Sequence, residues 1–300
     1  MKLGVFGVAI LCLVGSTLTF SDTPGDSREA FKRDEINAMD DGDLCPKTSN
    51  KKYHHHFVLV DTTSPLRPSQ VELIRRLVLP EQYLESLAPW DRVSIMRMMS
   101  IKPAKNRPLF SKCRPRSGDP ASRYEIDKHD WKFESASDLS VIYQKFVKGI
   151  KATIDEIENP KRLTIDTSDD ALSGSPIMSQ IKEISRMWDL DFSEKSGYES
   201  RKLTIVSDLA QNTVRLPFYE KCPPATLACP TWQEFKDHKK YARAVKRLMP
   251  AFGENVEVEL IYLNSNFDKD LNKNILDFWY DFFEDAGITN ISDRIESDEG

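Results

Sequence analysis

Short apolar runs and helical apolar stripes alternate along most of the chain. The first run, "FVLVD" at Phe57–Asp61, is apolar on both faces of an extended segment, which is typical of a strand inside a parallel sheet. Ser69 and Glu72 form a capping-box pattern and predict the start of a helix. Apolar residues then recur at helical spacing at Val71, Ile74 and Leu77.

The same pairing of strand and helix patterns continues towards the end of the chain. Further strands are predicted at Asp91–Met99, Lys202–Asp208, Val256–Asn264 and Ile288–Ile295. Helices are predicted over about 138–158, from an N-cap at Ser175 with Pro176 in the first helical position, from a capping box of Thr231 and Glu234, and from Asp270 to a C-cap at Gly287. Alternating strands and helices predict an α/β fold with a doubly wound, mostly parallel central sheet flanked by helices.

Composition limits the classes of partner. The 300-residue chain has 40% hydrophobic residues, enough for a core, and a formal net charge of -5 from 42 basic and 47 acidic side chains. A mildly acidic surface gives no electrostatic reason to expect nucleic acid.

The N-terminal segment differs from everything after it. Residues 1–21 contain an uncharged apolar run behind Lys2, which predicts a signal peptide or an N-terminal membrane anchor. Residues 22–52 are polar and predict a linker, 53–296 hold the α/β domain, and 297–300 form an acidic tail. The domain is therefore expected to be exported, either periplasmic or anchored facing outside the cytoplasm.

Four cysteines follow the apolar run, and an even number in an exported chain permits two disulfides. The spacing of Cys222 and Cys229 favours a local loop, while Cys113 can pair with Cys45 or with that loop. The histidine run His54–His56 is interpreted as a strand entry, because adjacent residues on a strand point to opposite faces.

Oxygen-bearing side chains follow two of the predicted strands. Asp61 ends the first strand and Thr63 follows it, Asp208 ends another strand, and Ser175 precedes a helix. Ligands of open α/β sheets collect at the carboxyl ends of the strands, so these segments are expected to converge. Carboxylates and hydroxyls suit a hard cation, and the predicted metal ligands are Asp61, Thr63, Ser175 and Asp208 around Mg²⁺ or Mn²⁺.

At these residues the chain resembles the von Willebrand factor A-type (vWA) domain with its metal-ion-dependent adhesion site (MIDAS). "DTTSP" resembles that family's Asp-x-Ser/Thr-x-Ser signature, "GSPIMSQI" its second loop with Ser175 in place of Thr, and "VSDLAQ" its third loop. The resemblance covers roughly Phe57 to Ile295 and implies a Rossmann-like vWA fold. The outline is also similar to that of a set of uncharacterised bacterial vWA-like proteins.

Two positions depart from the family pattern. Pro65 stands where the third signature hydroxyl is expected, and Leu209 replaces the usual glycine. Ser64 or Thr62 could supply an oxygen in its place.

The resemblance implies a non-enzymatic, exported or membrane-anchored interaction domain that binds a protein partner's acidic group through the cation. One alternative is a metal-assisted phosphohydrolase with Asp61 as its nucleophile. Another is a metal-free structural component of an envelope assembly. Phosphate-loop, dinucleotide-binding and nucleophile-elbow motifs do not occur in the sequence.

Overall fold

The computed structural model describes residues 43–45, 53–78, 84, 86–99, 106–117, 136–159, 175–187, 190, 192, 198–213, 216–217, 231–264 and 269–297. Within them the chain forms an α/β fold with a six-stranded, mostly parallel sheet flanked by helices, so the predicted fold class is confirmed. The segments 1–21 and 298–300 and the pair Cys222 and Cys229, on which other predictions were made, lie outside the described residues.

The strands are numbered along the chain. They are β1 (His54–Asp61), β2 (Arg92–Met98), β3 (Phe110–Cys113), β4 (Ser200–Ser207), β5 (Asn212–Thr213), β6 (Leu216–Pro217), β7 (Val256–Asn264) and β8 (Asn290–Ser297). The main sheet has the order β3-β2-β1-β4-β7-β8, and β3 is its antiparallel strand, while β5 and β6 form a separate ribbon.

The described helices are α1 (Pro68–Val78), α2 (Ala136–Glu158), α3 (Ile177–Ile184), α4 (Trp232–Asp237), α5 (Ala242–Leu248) and α6 (Lys269–Asp285). Helices α1 and α2 contribute to the apolar cluster on one face of the sheet, and α3 to α6 contribute to the cluster on the other. Strand β1 contributes side chains to both clusters. Phe57 and Leu59 belong to the α3–α6 side, whereas Val58 and Val60 belong to the α1–α2 side. A strand buried on both faces explains the continuous apolar run.

Element ends differ from the sequence prediction in a few places. Helix α1 begins at Pro68, so the predicted cap Ser69 lies in its first turn, and the Gln70 Oε1 atom accepts a hydrogen bond from the Arg67 amide. The capping box of Thr231 and Glu234 is confirmed at α4. Gly287, with φ of +86°, ends α6 in the left-handed conformation that a glycine C-cap adopts without strain.

The edge strand β3 lies in a segment that gave only a proline-rich pattern in the sequence. Residues 43–45, within the predicted linker, lie beside it: the Cys113 amide donates to the Asp43 carbonyl at 2.9 Å. Cys45 and Cys113 form a disulfide, which is one of the two pairings considered for Cys113. In the described part of the chain, no helix combines the length and apolar character needed to cross a bilayer.

A buried polar chain runs from β1 to β3 near the start of the sheet. The Nδ1 atom of His55 lies 3.0 Å from the Leu190 carbonyl, so Nδ1 carries the hydrogen and the neutral Nε2 accepts from the Ser94 hydroxyl at 2.9 Å. Ser94 in turn contacts the Ser111 hydroxyl, which accepts from Arg92 Nε. The directions of the bonds follow because a carbonyl only accepts and a guanidinium only donates.

This environment keeps His55 neutral. Burial, and next the charge of Arg92, lower the pKa of His55 to about 3 from its usual 6.5. Between these two pH values the unfolded chain binds a proton at His55 that the native protein does not bind. The contribution of His55 to the free energy of unfolding is therefore present above pH 6.5 and is lost as the pH decreases towards 3.

We therefore expect the free energy of unfolding to decrease by about 2 kcal/mol from about pH 7 to about pH 5 through this residue alone. Urea unfolding of the wild type and of His55→Gln at both pH values measures it. The variant should lack this part of the pH dependence, whereas His238→Gln, which changes an exposed histidine, should retain it. Equal pH dependence in the wild type and His55→Gln would contradict the assignment.

Candidate functional site

The candidate site lies where the strand order of the sheet reverses. From β1 the chain proceeds to β2 and β3 on one side, and β4, β7 and β8 lie on the other. Strands β1 and β4 are adjacent and parallel, so their carboxyl ends meet at this point. Open α/β sheets form ligand crevices at such switch points.

Asp61, the last residue of β1, is the centre of the site. Its side chain is buried, with the residue only 7% exposed. Oδ1 accepts from the Thr63 amide at 3.0 Å and from the Thr63 hydroxyl at 2.7 Å. Oδ2 accepts from the hydroxyls of Ser175 at 2.8 Å and Ser207 at 2.7 Å. Four donors match the roughly four lone-pair sites of an ionised carboxylate, so the buried charge of Asp61 is fully hydrogen-bonded.

Ser175 has a role different from the one predicted for it at the helix start. Helix α3 begins at Ile177, and its N-cap residue is Pro176, which makes no side-chain capping bond. The prediction of Ser175 as the N-cap is therefore wrong, because Pro176 occupies that position; the Ser175 hydroxyl donates its hydrogen to Asp61. The structure thus places Ser175 in direct contact with the first strand, far from it in sequence.

Ser207 belongs to the site and was missed in the sequence prediction. It is fully buried, donates to Asp61, and accepts from the Leu209 amide at 2.9 Å. The strand alternation of β4 contained a signal for it. Leu203 and Ile205 lie on the α3–α6 side of the sheet, and the next residue of the same parity is Ser207, not Asp208.

Asp208 follows Ser207 and is partly exposed. Its Oδ1 atom accepts from the Ala210 amide at 3.0 Å, which makes a tight turn after β4. The charge of the Asp208 carboxylate also affects the phenol of Tyr262, which pairs in register with Ser207 on β7. Burial, and next the charge of Asp208, raise the pKa of Tyr262 to about 12, so this phenol stays protonated at neutral pH.

Buried amide side chains fix α3, the helix that follows Ser175. Gln211 Oε1 accepts from the Met178 amide at 2.9 Å, which joins the first turn of α3 to the loop after β4. Asn106 Nδ2 donates both to the Arg97 carbonyl at 2.6 Å and to Gln180 Oε1 at 3.1 Å, which joins α3 to the end of β2. Helix α3 is therefore held from two strands, and the position of Ser175 is fixed with it.

Leu209 has a strained backbone next to the site. Its φ of 53° lies in the left-handed region, where a side chain other than glycine is disfavoured by about 1–2 kcal/mol. The residue is nevertheless fully buried in the α3–α6 cluster, and its carbonyl accepts from Trp279 Nε1 at 2.9 Å. Packing of the leucine side chain compensates for the conformation that a glycine would adopt freely.

The donor set fits a hard cation. Thr63 and Ser175 give their hydroxyl hydrogens to Asp61, which leaves the lone pairs of both oxygens for another ligand. The described contacts bring Thr63, Ser175 and Ser207 onto Asp61, whereas Asp208 follows Ser207 in the chain with a partly exposed carboxylate. Hard cations bind carboxylate and hydroxyl oxygens. Among the described residues there is no group of three or more His, Cys, Asp or Glu side chains arranged to hold a metal, so any cation here would depend on the hydroxyls.

The other hydroxyl next to Asp61 has a structural role. Thr62 donates through both its amide and its hydroxyl to the Met98 carbonyl, at 3.1 and 2.7 Å. It therefore ties the end of β1 to the end of β2.

Comparison with protein-family models gave no match for this chain, and comparison with curated proteins gave no significant match.

Removal of the Asp61 carboxylate should destabilise the protein more than removal of any single hydroxyl. We expect Asp61→Asn to lower the free energy of unfolding by about 2–3 kcal/mol, because one oxygen that accepts two hydrogen bonds becomes a donor. Ser175→Ala should cost about 1 kcal/mol, since it removes one bond. Urea unfolding measures both.

The matched control is Asp277→Asn, which changes an exposed carboxylate paired with Lys273 on α6. This variant should change stability by less than about 0.5 kcal/mol. An effect of Asp61→Asn no larger than that of Asp277→Asn would show that Asp61 does not organise the site.

Replacement of Leu209 by glycine should destabilise the protein despite relieving the backbone. Loss of a buried leucine side chain costs about 2–5 kcal/mol, which exceeds the strain of about 1–2 kcal/mol. Asn255→Gly is the control, because Asn255 has φ of 58° but is exposed. It should change the free energy of unfolding by less than about 0.5 kcal/mol, and thermal or urea unfolding compares the two. A Leu209→Gly variant as stable as the wild type would contradict this prediction.

Proposed function

We propose that this chain is an exported or membrane-anchored protein-interaction domain of the vWA type. It binds a divalent cation, Mg²⁺ or Mn²⁺, at Asp61, Thr63, Ser175 and Asp208. The cation completes its coordination with an acidic group of a protein partner. The observation that carries the proposal is the donation of three hydroxyl hydrogens, from three separate segments, into the one carboxylate of Asp61.

The two carboxylates, Asp61 and Asp208, have different roles in the proposed site. Asp61 has four hydrogen bonds, so it orients the hydroxyl oxygens and supplies negative charge behind them. Asp208 is partly exposed and can contact the ion from the outer side. With one carboxylate occupied in this way, the cation keeps much of its positive charge, and a partner's carboxylate becomes a favourable additional ligand.

The hydrogen bonding of Asp61 also bears on the alternatives. A nucleophilic aspartate needs an oxygen available for attack, and both oxygens here already accept two hydrogen bonds each, which does not favour a phosphohydrolase. A metal-free structural role has a specific observation in its favour, since the same four bonds satisfy the carboxylate without an ion. Calorimetric titration with divalent cations separates this role from the proposal.

Calorimetric titration of the full chain with Mg²⁺ and with Mn²⁺ tests the cation site. We expect saturable binding in the wild type and at least about tenfold weaker binding in Asp208→Asn, because a charged ligand is lost while the buried bonds of Asp61 remain. Asp277→Asn, the exposed carboxylate on α6, should bind as the wild type does. Absence of saturable binding in the wild type would support the metal-free role.

Acetate, as the simplest carboxylate, tests the proposed contact with an acidic partner. On the Mn²⁺-loaded protein it should displace metal-bound water and lower the paramagnetic relaxation of water protons. The same addition to Asp208→Asn should have little effect. An unchanged relaxation rate in the Mn²⁺-loaded wild type would contradict the role of the cation in partner binding.

A further inference from the structure

Arg97 lies near the carboxyl end of β2, on the opposite side of the sheet from Asp61. Strand alternation places Met96 and Met98 in the α3–α6 cluster and Val93 and Ile95 in the α1–α2 cluster. Arg97 shares the parity of Val93 and Ile95, so its side chain lies on the α1–α2 side. It is therefore separate from the hydroxyl groups around Asp61.

The guanidinium group of Arg97 is buried without the bonds that it needs. The residue is 4% exposed, and its Nε and Nη1 atoms have no hydrogen-bond partner in the protein. Across the described ranges these two are the only buried side-chain nitrogen or oxygen atoms of which this is true. Since buried polar groups are almost always paired, this exception points to a ligand.

Two other buried arginines, Arg114 and Arg201, have hydrogen-bond acceptors for their guanidinium groups. Arg114, 1% exposed, donates from Nε to the Leu84 carbonyl and from Nη1 to the Pro115 carbonyl. Arg201, 4% exposed, donates from Nη1 to the Glu254 carbonyl. Backbone carbonyls therefore accept from both of these guanidinium groups, whereas Nε and Nη1 of Arg97 have no such acceptor.

An unpaired arginine cannot escape this penalty by losing its proton, because a guanidinium group stays protonated in proteins. A buried ion without a counterpart costs several kcal/mol. Moving the side chain to solvent is also restricted. Arg97 is paired in register with Val60 on β1, and its carbonyl is bound by Asn106, so its backbone is fixed inside the sheet.

The surroundings of Arg97 favour a negative ligand. Helix α1 starts after the carboxyl end of β1, the strand beside Arg97, and packs on the same side of the sheet. Its first turn holds no acidic residue, so the positive end of the helix dipole is not neutralised locally. The start of α1 and the Arg97 guanidinium therefore lie on the same face of the sheet, and each of them favours a negative charge.

We propose that Arg97 anchors a binding site for a small oxyanion, between the carboxyl end of β2 and the start of α1. An oxyanion supplies both the negative charge and the acceptor oxygens that the guanidinium lacks. The burial of Arg97 limits the ligand to a small group, such as phosphate, sulfate or a single carboxylate. This site is independent of the cation site, and neither proposal needs the other.

Thermal unfolding of the full chain tests the proposal. The chain is titrated with sodium phosphate, sodium sulfate or sodium acetate against sodium chloride at constant ionic strength. We expect a saturable rise in the wild-type midpoint with at least one oxyanion. The anion that acts at the lowest concentration distinguishes inorganic oxyanions from carboxylates. General stabilisation by excluded salts would increase without saturation and would be equal in every variant.

Arg97→Met replaces the guanidinium with an apolar side chain. Its midpoint in chloride should equal or exceed that of the wild type, because an unpaired buried charge is removed, and its saturable response to oxyanions should be lost. Arg201→Met is the matched control, since it removes a buried arginine that has a partner. It should be less stable than the wild type in chloride but should keep the oxyanion response.

Arg97→Lys gives a second measurement if Arg97→Met does not fold. It keeps the charge but loses the planar group, and the concentration for half-maximal stabilisation should rise by about tenfold. The proposal is overturned if the wild type shows no saturable response, or if Arg97→Met or Arg97→Lys responds with the same half-maximal concentration as the wild type.

Discussion

The structure depends on the burial of one carboxylate at the place where two parallel strands end. An ionised carboxylate away from water needs donors for nearly all of its lone pairs, and no single loop of this chain supplies them. Asp61 obtains them from its own loop, from the residue before α3, and from the end of β4. Each of these segments is thereby fixed relative to the others, although they are distant in sequence.

The same requirement explains the polar residues that surround the site. Hydroxyls that satisfy Asp61 must be held in place, and the helix that follows Ser175 is fixed by Asn106 from the β2 side and by Gln211 from the β4 side. On the other side of the sheet, Arg97 occurs at the end of the neighbouring strand without equivalent partners. One edge of the sheet thus carries a satisfied negative charge and an unsatisfied positive charge, on opposite faces.

The sequence predicted the sheet well because strands buried on both faces leave a direct pattern. The run that became β1 is continuous and apolar, those of β4 and β7 are interrupted only by Thr204 and by Glu257 and Glu259, and the helices between them have clear stripes. Strand β3 could not be predicted in the same way, since it is a short edge strand, and its burial pattern is not continuous.

The hydroxyl of Ser175 was assigned to its helix because local capping is the common use of a serine there. A contact with Asp61, more than a hundred residues earlier, has no local signature. The alternation of side chains along the strand points to Ser207, whereas the sequence prediction names its neighbour Asp208.

The short segment Asp43–Cys45 has a consequence for the outer border of the sheet. It covers β3 through the disulfide and through the bond from the Cys113 amide to the Asp43 carbonyl. An uncovered border strand is a template on which another polypeptide can add. By occupying part of that template, the segment leaves less of β3 open to pairing with another chain. This protection depends on an oxidising milieu, because cleavage of the sulfur–sulfur bond would release the segment from β3.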